Sequence, residues 1–239
     1  MKYFKLLLLF VIIVLFCSCG AEDRVSDVEK NEKIRYVAFT FDDGPYTPVT
    51  NRILDTLEKY NARATFFIVG NRAEIYQDCV KRAYSLGCEI GNHTYSHADL
   101  CGAKKDTVEK EISKCSDVIL KITGERENLF RPTGGKNNKT LQSEVGRALI
   151  LWNVDTKDWS HHSSDKTISA VLDNITDGSI ILMHDLEVSA AESCEKLIPQ
   201  LTEQGYQLVT VSELLRLNGI EPEAGKKYYS ASQSRSAIS

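Results

Sequence analysis

The stretch Tyr36-Val37-Ala38-Phe39-Thr40-Phe41-Asp42-Asp43-Gly44-Pro45 sets an apolar, β-rich run directly against two adjacent carboxylates and a turn. Its first half, Tyr36–Phe41, reads as a strand. Six more such runs follow, at Ala64–Val69, Glu89–Gly91, Leu129–Arg131, Leu149–Val154, Ser179–His184 and Gln207–Thr210. Helical periodicity lies between them. Ile53, Leu54 and Leu57 mark Val49–Tyr60, and Val108, Ile112, Cys115, Ile119 and Ile122 mark Thr107–Thr123. Leu197, Ile198 and Leu201 mark Ala191–Gln204, while Gly87, Gly124 and Gly205 stand where helices should end. Apolar strands alternating with helices describe parallel βαβ units and an α/β fold. About seven parallel strands suit a distorted (β/α) barrel better than an open sheet.

Polar residues collect where these strands end. The first stops at Asp42-Asp43-Gly44-Pro45. Paired carboxylates are costly unless something cationic holds them, although Asp, Gly and Pro also make turns. The third stops at Asn92-His93-Thr94-Tyr95-Ser96-His97, and a four-residue His spacing on a helical turn would aim both imidazoles at one ion. The fourth stops at Arg131-Pro132-Thr133-Gly134-Gly135, and the fifth runs through Trp152 to Asp155, Asp158 and Trp159. Trp152 reads as core and Trp159 as a half-buried loop anchor. The sixth stops at Leu182-Met183-His184-Asp185. Each cluster alone is compatible with a loop. Together they concentrate Asp, His and Arg on the face where parallel α/β barrels keep their active sites. His161 and His162, in a polar loop, read as solvated.

The whole chain of 239 residues carries 29 Lys+Arg against 33 Asp+Glu, and 42% of it is hydrophobic. That content supports one folded domain and excludes a disordered chain. The net charge of −4 excludes nucleic acid as the main partner, since phosphate binding wants a basic surface. Lys2 and Lys5 precede the apolar run Leu6–Phe16, and Cys17-Ser18-Cys19-Gly20 follow it. The order is that of a secretory signal, and the run is short of the roughly 20 residues a spanning helix needs. Residues 1–19 are read as a signal peptide of the lipoprotein type, with lipidation at Cys19 and a membrane tether. Plain secretion and an uncleaved anchor are the alternatives, and all three place the domain outside the cytoplasm. Residues 20–33 form a linker, 34–218 the catalytic domain and 219–239 a loose polar tail. Five cysteines lie downstream of the signal, an odd number with no two-residue spacing. Cys101 and Cys115 could pair, or all five could be free thiols.

With these motifs in hand, the segment from Ile34 to Leu217 resembles the polysaccharide deacetylases of the NodB-homology type, carbohydrate esterase family 4. All five ordered motifs are recognisable. The resemblance implies a distorted α/β barrel and hydrolytic N-deacetylation of an extracellular or cell-wall glycan, with peptidoglycan N-acetylglucosamine first among substrates. It implies one divalent ion, zinc ahead of cobalt or nickel, on Asp43, His93 and His97. It makes Asp42 the general base, Arg131 its holder, and His184 the general acid with Asp158 as partner. It assigns Trp159 and Leu182 to the substrate groove and acetyl pocket, and the Gly134 N–H to the oxyanion. The family commonly reads Arg-Pro-Pro-Tyr-Gly where this chain has Arg131-Pro132-Thr133-Gly134-Gly135, so a side-chain wall of the groove is missing. O-deacetylation, chitin-oligomer deacetylation, and an inactive glycan-binding lipoprotein are the competing readings.

Overall fold

The computed structural model describes residues 34–232. The signal peptide, Cys19, the whole linker and the last seven residues lie outside the described residues. The strands are β1 Arg35–Asp42, β2 Thr65–Ile68, β3 Glu89–Asn92, β4 Leu129–Phe130, β5 Ala148–Ile150, β6 Val154–Asp155, β7 Ile180–His184, β8 Tyr206–Leu208 and β9 Lys227–Tyr228. The helices are α1 Thr47–Lys59, α2 Gly70–Ile75, α3 Gln77–Ser85, α4 Lys105–Thr123, α5 Lys139–Glu144, α6 Asp158–His161, α7 Ser164–Leu172, α8 Val188–Glu203 and α9 Val211–Leu217.

Every strand pairing is parallel, in the order β6-β7-β1-β2-β3-β4-β5-β9, with β8 also on β1. The fold is therefore the expected α/β barrel type. β5 and β6 lie near opposite ends of that order, yet only Leu151, Trp152 and Asn153 separate them. A chain spans at most ~3.6 Å per residue, so the two strands can be no more than about 14 Å apart. The sheet must curl round to meet that limit. The run Leu149–Val154, expected as one strand, is thus two. Asn153 makes the break, because its Oδ1 accepts the Ile180 N–H at 2.8 Å and its own N–H donates to the Ile180 carbonyl.

Alternation along β1 sorts the core. Val37, Phe39 and Phe41 pack outward with Ile53, Leu54 and Leu57 of α1 and with Leu197, Ile198 and Leu201 of α8. Ala38 faces inward with Phe67, Leu129, Ile150 and Ile180, and Val211, Leu214 and Leu215 of α9 close the interior beneath them. Thr40 and Asp42 share Ala38's inward face by the same period. The short helices α2, α5 and α6 carry too few turns for periodicity to reveal them.

The expected loose tail is a correction. β9 pairs with β5, Ser230 bridges Ser179, and Ala231 is fully buried among the inward-facing residues. The pairing is made by backbone groups, Leu149 N–H to the Lys226 carbonyl and Leu151 N–H to the Tyr228 carbonyl, both 2.8 Å, so a polar sequence can make it. All five cysteines here are free. Cys101 is exposed and Cys115 buried in the core, so the disulfide alternative is not realised. No helix of the described residues is long and apolar enough to cross a membrane.

A chain truncated after Asn218 should melt at a lower temperature and lose hydrogen-exchange protection at the Leu149 and Leu151 amides. A tail with no structural role would leave both unchanged.

Candidate active site

Because the strands are parallel, their C-terminal ends share one face. Asp42 and Asp43 come from β1, Asn92 and His93 from β3, Arg131 from β4, Asp155 from β6 and His184 from β7. Asp43 has φ 72°, in the left-handed region, and its carboxylate and that of Asp42 both approach His93 Nε2, at 3.3 and 3.8 Å. Gly44 follows because nothing larger fits: a Cβ there would overlap the Asp185 carboxylate.

Arg131 is fully buried and lies across the barrel interior. Its Nη1 donates to Asp42 Oδ1 at 2.8 Å and to Thr40 Oγ1 at 2.7 Å. Nε and Nη2 reach the carbonyls of Ile150 and Leu151. The guanidinium also stacks 4.1 Å from the Phe67 ring and 5.5 Å from Trp152. Burial disfavours its charge, and the Asp42 carboxylate is the chief opposing influence.

Asp43 Oδ1 lies 3.3 Å from His93 Nε2 and 3.0 Å from His97 Nε2. One ligand atom from each of the three residues falls within 4.8 Å of the other two. Burial opposes ionisation of Asp43, but hydrogen bonds from His93 and His97 hold it well below the usual carboxylate range. The Asp43 carboxylate in turn pushes His97 up. His93 Nδ1 lies 2.7 Å from the Arg131 carbonyl. A carbonyl only accepts, so Nδ1 carries a proton, and Nε2 is the ring nitrogen turned toward Asp43. The four-residue spacing works without a helix. His93–His97 is a loop, bent by positive φ at Thr94 (68°) and His97 (61°).

Across the pocket, Asp158 is fully buried, and its Oδ1 accepts from His184 Nδ1 at 2.7 Å. Its Oδ2 accepts the His184 backbone N–H at 2.8 Å. Burial works against a charged imidazole here, yet the bond to Asp158 outweighs it and pushes His184 up to about 9. Asp42, Asp43, His93, His97, Gly134, Trp159, Leu182 and His184 line one cleft of about 350 Å³, together with Trp152 and Asp155. Every site residue read from the described sequence therefore comes to this cleft or directly supports it. Trp152, read as core, is half-buried and part of the wall. Trp159 is 58% exposed at the rim, and nothing lies within 4 Å of where a Gly134 Cβ would stand.

The residues match the protein-family model for polysaccharide deacetylases over positions 29–149. The chain belongs to the polysaccharide deacetylase family. This deacetylase-family chain is 41% identical, over 78% of its length, to the peptidoglycan-N-acetylmuramic acid deacetylase PdaC of Bacillus subtilis, and spans 40% of that protein. It is 37% identical, over 80% of its length, to a peptidoglycan-N-acetylglucosamine deacetylase of Bacillus cereus, spanning 92% of that one. Among solved structures, a family 4 acetyl xylan esterase from Clostridium thermocellum, in complex with cobalt, superposes with TM-score 0.78 at 33% identity. The match covers 82% of this chain and 98% of that one.

Sequence reading of this deacetylase-family chain passed over Asp185. It is buried against Gly44, its Oδ2 accepts from Thr50 Oγ1 at 2.6 Å, and burial pushes it up to about 7. Tyr46 N–H in turn donates to Thr50 Oγ1, so Asp185 and Thr50 secure the turn that follows Asp43. The signal available was its adjacency to His184. His161 was expected in solvent, but its Nε2 bonds the Thr156 carbonyl at 2.9 Å. His162 is exposed and paired with Glu187.

Arg131→Met keeps the bulk and removes the charge, leaving Asp42 buried without its cation. Breaking such a pair costs about 3–5 kcal/mol, which denaturant unfolding should report.

Proposed function

We propose that the chain is a metal-dependent hydrolase that removes N-acetyl groups from an extracellular or cell-wall polysaccharide and releases acetate. Peptidoglycan N-acetylglucosamine is the first substrate. The observation that carries this reading is the convergence on one cleft of the Asp43–His93–His97 set, the Arg131-held Asp42 and the Asp158-held His184. Two curated relatives named as peptidoglycan deacetylases support the substrate class.

Two imidazole nitrogens and one carboxylate oxygen suit a borderline divalent ion and leave coordination positions open, the pattern of a catalytic site. Asp43, His93 and His97 would hold that ion, with zinc first and cobalt or nickel also compatible. Bound there, it would supply Lewis acidity toward the acetyl carbonyl and a lowered pKa for water. The protein does the rest. Arg131 occupies Asp42 Oδ1 and leaves Oδ2, 3.8 Å from His93 Nε2, to take the proton of the attacking water. The Gly134 N–H, at the edge of the cleft, donates to the developing oxyanion. Asp158 holds the proton on His184 Nδ1, so the Nε2 proton faces the cleft and is delivered to the departing nitrogen. Trp159 and Leu182 border the sugar and the acetyl methyl. Export, with lipidation at Cys19 tethering the domain to the membrane, completes the reading.

A second substrate reading has its own observation. The open space beside Gly134, where the family commonly places Tyr, admits a bulkier sugar such as N-acetylmuramic acid.

Acetate release from purified peptidoglycan should disappear with chelator and return with zinc or cobalt, and mass analysis of the digest assigns the deacetylated sugar. Asp42→Asn and His184→Ala should each lower the rate by about 10²–10⁴ while keeping bound metal. Near-normal turnover by Asp42→Asn would sink the base assignment. His184 acts as an acid only while protonated, so kcat/KM should fall as pH rises through about 9. Asp158→Asn removes the carboxylate that raises it, and should move that alkaline limb to lower pH.

A further inference from the structure

The loop carrying both histidines is conformationally expensive. Thr94 and His97 are not glycines, yet both sit at positive φ, and a β-branched residue there is a true outlier. Such a backbone persists only when its surroundings over-determine it. The chemistry around residues 94–96 does so. The Thr94 N–H donates to Asn92 Oδ1 at 2.9 Å. The Thr94 and Tyr95 carbonyls accept from the N–H groups of Gly70 and Asn71 at the start of α2. The Tyr95 and Ser96 N–H groups and the Ser96 hydroxyl go to one side chain on another element. Glu111, in the second turn of α4, accepts the Tyr95 N–H at 3.1 Å and the Ser96 N–H at 2.8 Å on Oε2, and the Ser96 hydroxyl at 2.9 Å on Oε1.

We propose that Glu111 is a positioning residue for the metal centre: its carboxylate clamps the apex of the His93–His97 loop and so sets how tightly the ion is held. It touches neither the cleft nor any proposed ligand. It acts through the two backbone N–H groups midway between the histidines, with bonds that its charge strengthens. A second contact shows that α4 is the template for this loop. Below Glu111, the Ile112 carbonyl and Ser116 Oγ of α4 receive the Asn92 side-chain amide at 3.0 and 3.1 Å. The same Asn92 holds the Thr94 N–H. Glu111 therefore fixes the exposed rim of a loop whose buried root is already fixed by the same helix. The inference rests on the reading of Asp43, His93 and His97 as ligands.

The test is cobalt binding to the purified protein and its variants, by chelator competition and by the visible spectrum of the bound ion. Loss of an outer partner of this kind costs about 10–100-fold in metal affinity, and Glu111→Ala should do the same with an altered spectrum. At saturating cobalt its kcat should stay within about threefold of the parent, because the acid and base are untouched. Glu111→Gln keeps an acceptor for the N–H groups and should fall between the two. Glu74→Ala is the control: it removes the partner of the Tyr95 hydroxyl but leaves the loop backbone alone, and affinity should not move. Circular dichroism confirms that each variant is folded. A Glu111→Ala protein that is folded and binds cobalt within twofold of the parent overturns the clamp while leaving the ligand reading intact. A parent protein that binds no cobalt overturns both.

Discussion

A single guanidinium organises the interior of this barrel. Arg131 leaves β4, crosses the space that a smaller barrel would fill with aliphatic side chains, and bonds to β1 and to the carbonyls that end β5. Its partner Asp42 is also buried, so neither charge has water to fall back on. The aromatic faces of Phe67 and Trp152 cover the rest. The same residue's carbonyl fixes the tautomer of His93. One residue thus ties Asp42, His93 and three strands into a common geometry. A shift in any of these strands is felt at the others.

Electrostatics divides the cleft into two halves. On one side the carboxylates Asp42 and Asp43 are matched by Arg131 and the imidazoles. On the other, both oxygens of Asp158 accept from His184, and Oδ1 also takes the Trp159 N–H. The two buried pairs have opposite consequences. The first sets the Asp42 carboxylate against a fixed guanidinium, beside an Asp43 that faces two imidazoles. The second favours the protonated form of the His184 imidazole. The family assignment then agrees with what the pairs can do chemically.

Much of this was legible because most site residues stand at or just past the end of a β-rich run. Asp42, Asp43, His93, Arg131 and His184 lie where a strand stops, and strand ends share a face in any parallel barrel. Asp158 and Trp159 were legible for a weaker reason, their place in a recognisable motif. Glu111 was not legible, because its role consists of hydrogen bonds to another segment's backbone, which carry no side-chain pattern. Asp185 was hidden by standing beside a more conspicuous histidine. β9 escaped because its bonds are to the main chain and its sequence is polar. The break at Asn153 escaped because one apolar run contained two strands bound for different edges of the sheet.

The position of β1 in the chain has a consequence for how this molecule is made. β1 is the first element of the described residues, and it sits in the middle of the sheet. Its hydrogen-bonding neighbours β7 and β8 are among the last strands; Thr40 and its acceptor Ile181 are 141 residues apart. No growing fragment that ends before β7 can cover both edges of Val37–Phe41. Completing the sheet must therefore wait for β7 and β8, and the topology belongs to the slow, non-local kind. Until then an apolar strand stands with an open edge, a template for pairing with other chains. The molecule's demand on chaperones is thus set by strand order, before any question of its final stability arises.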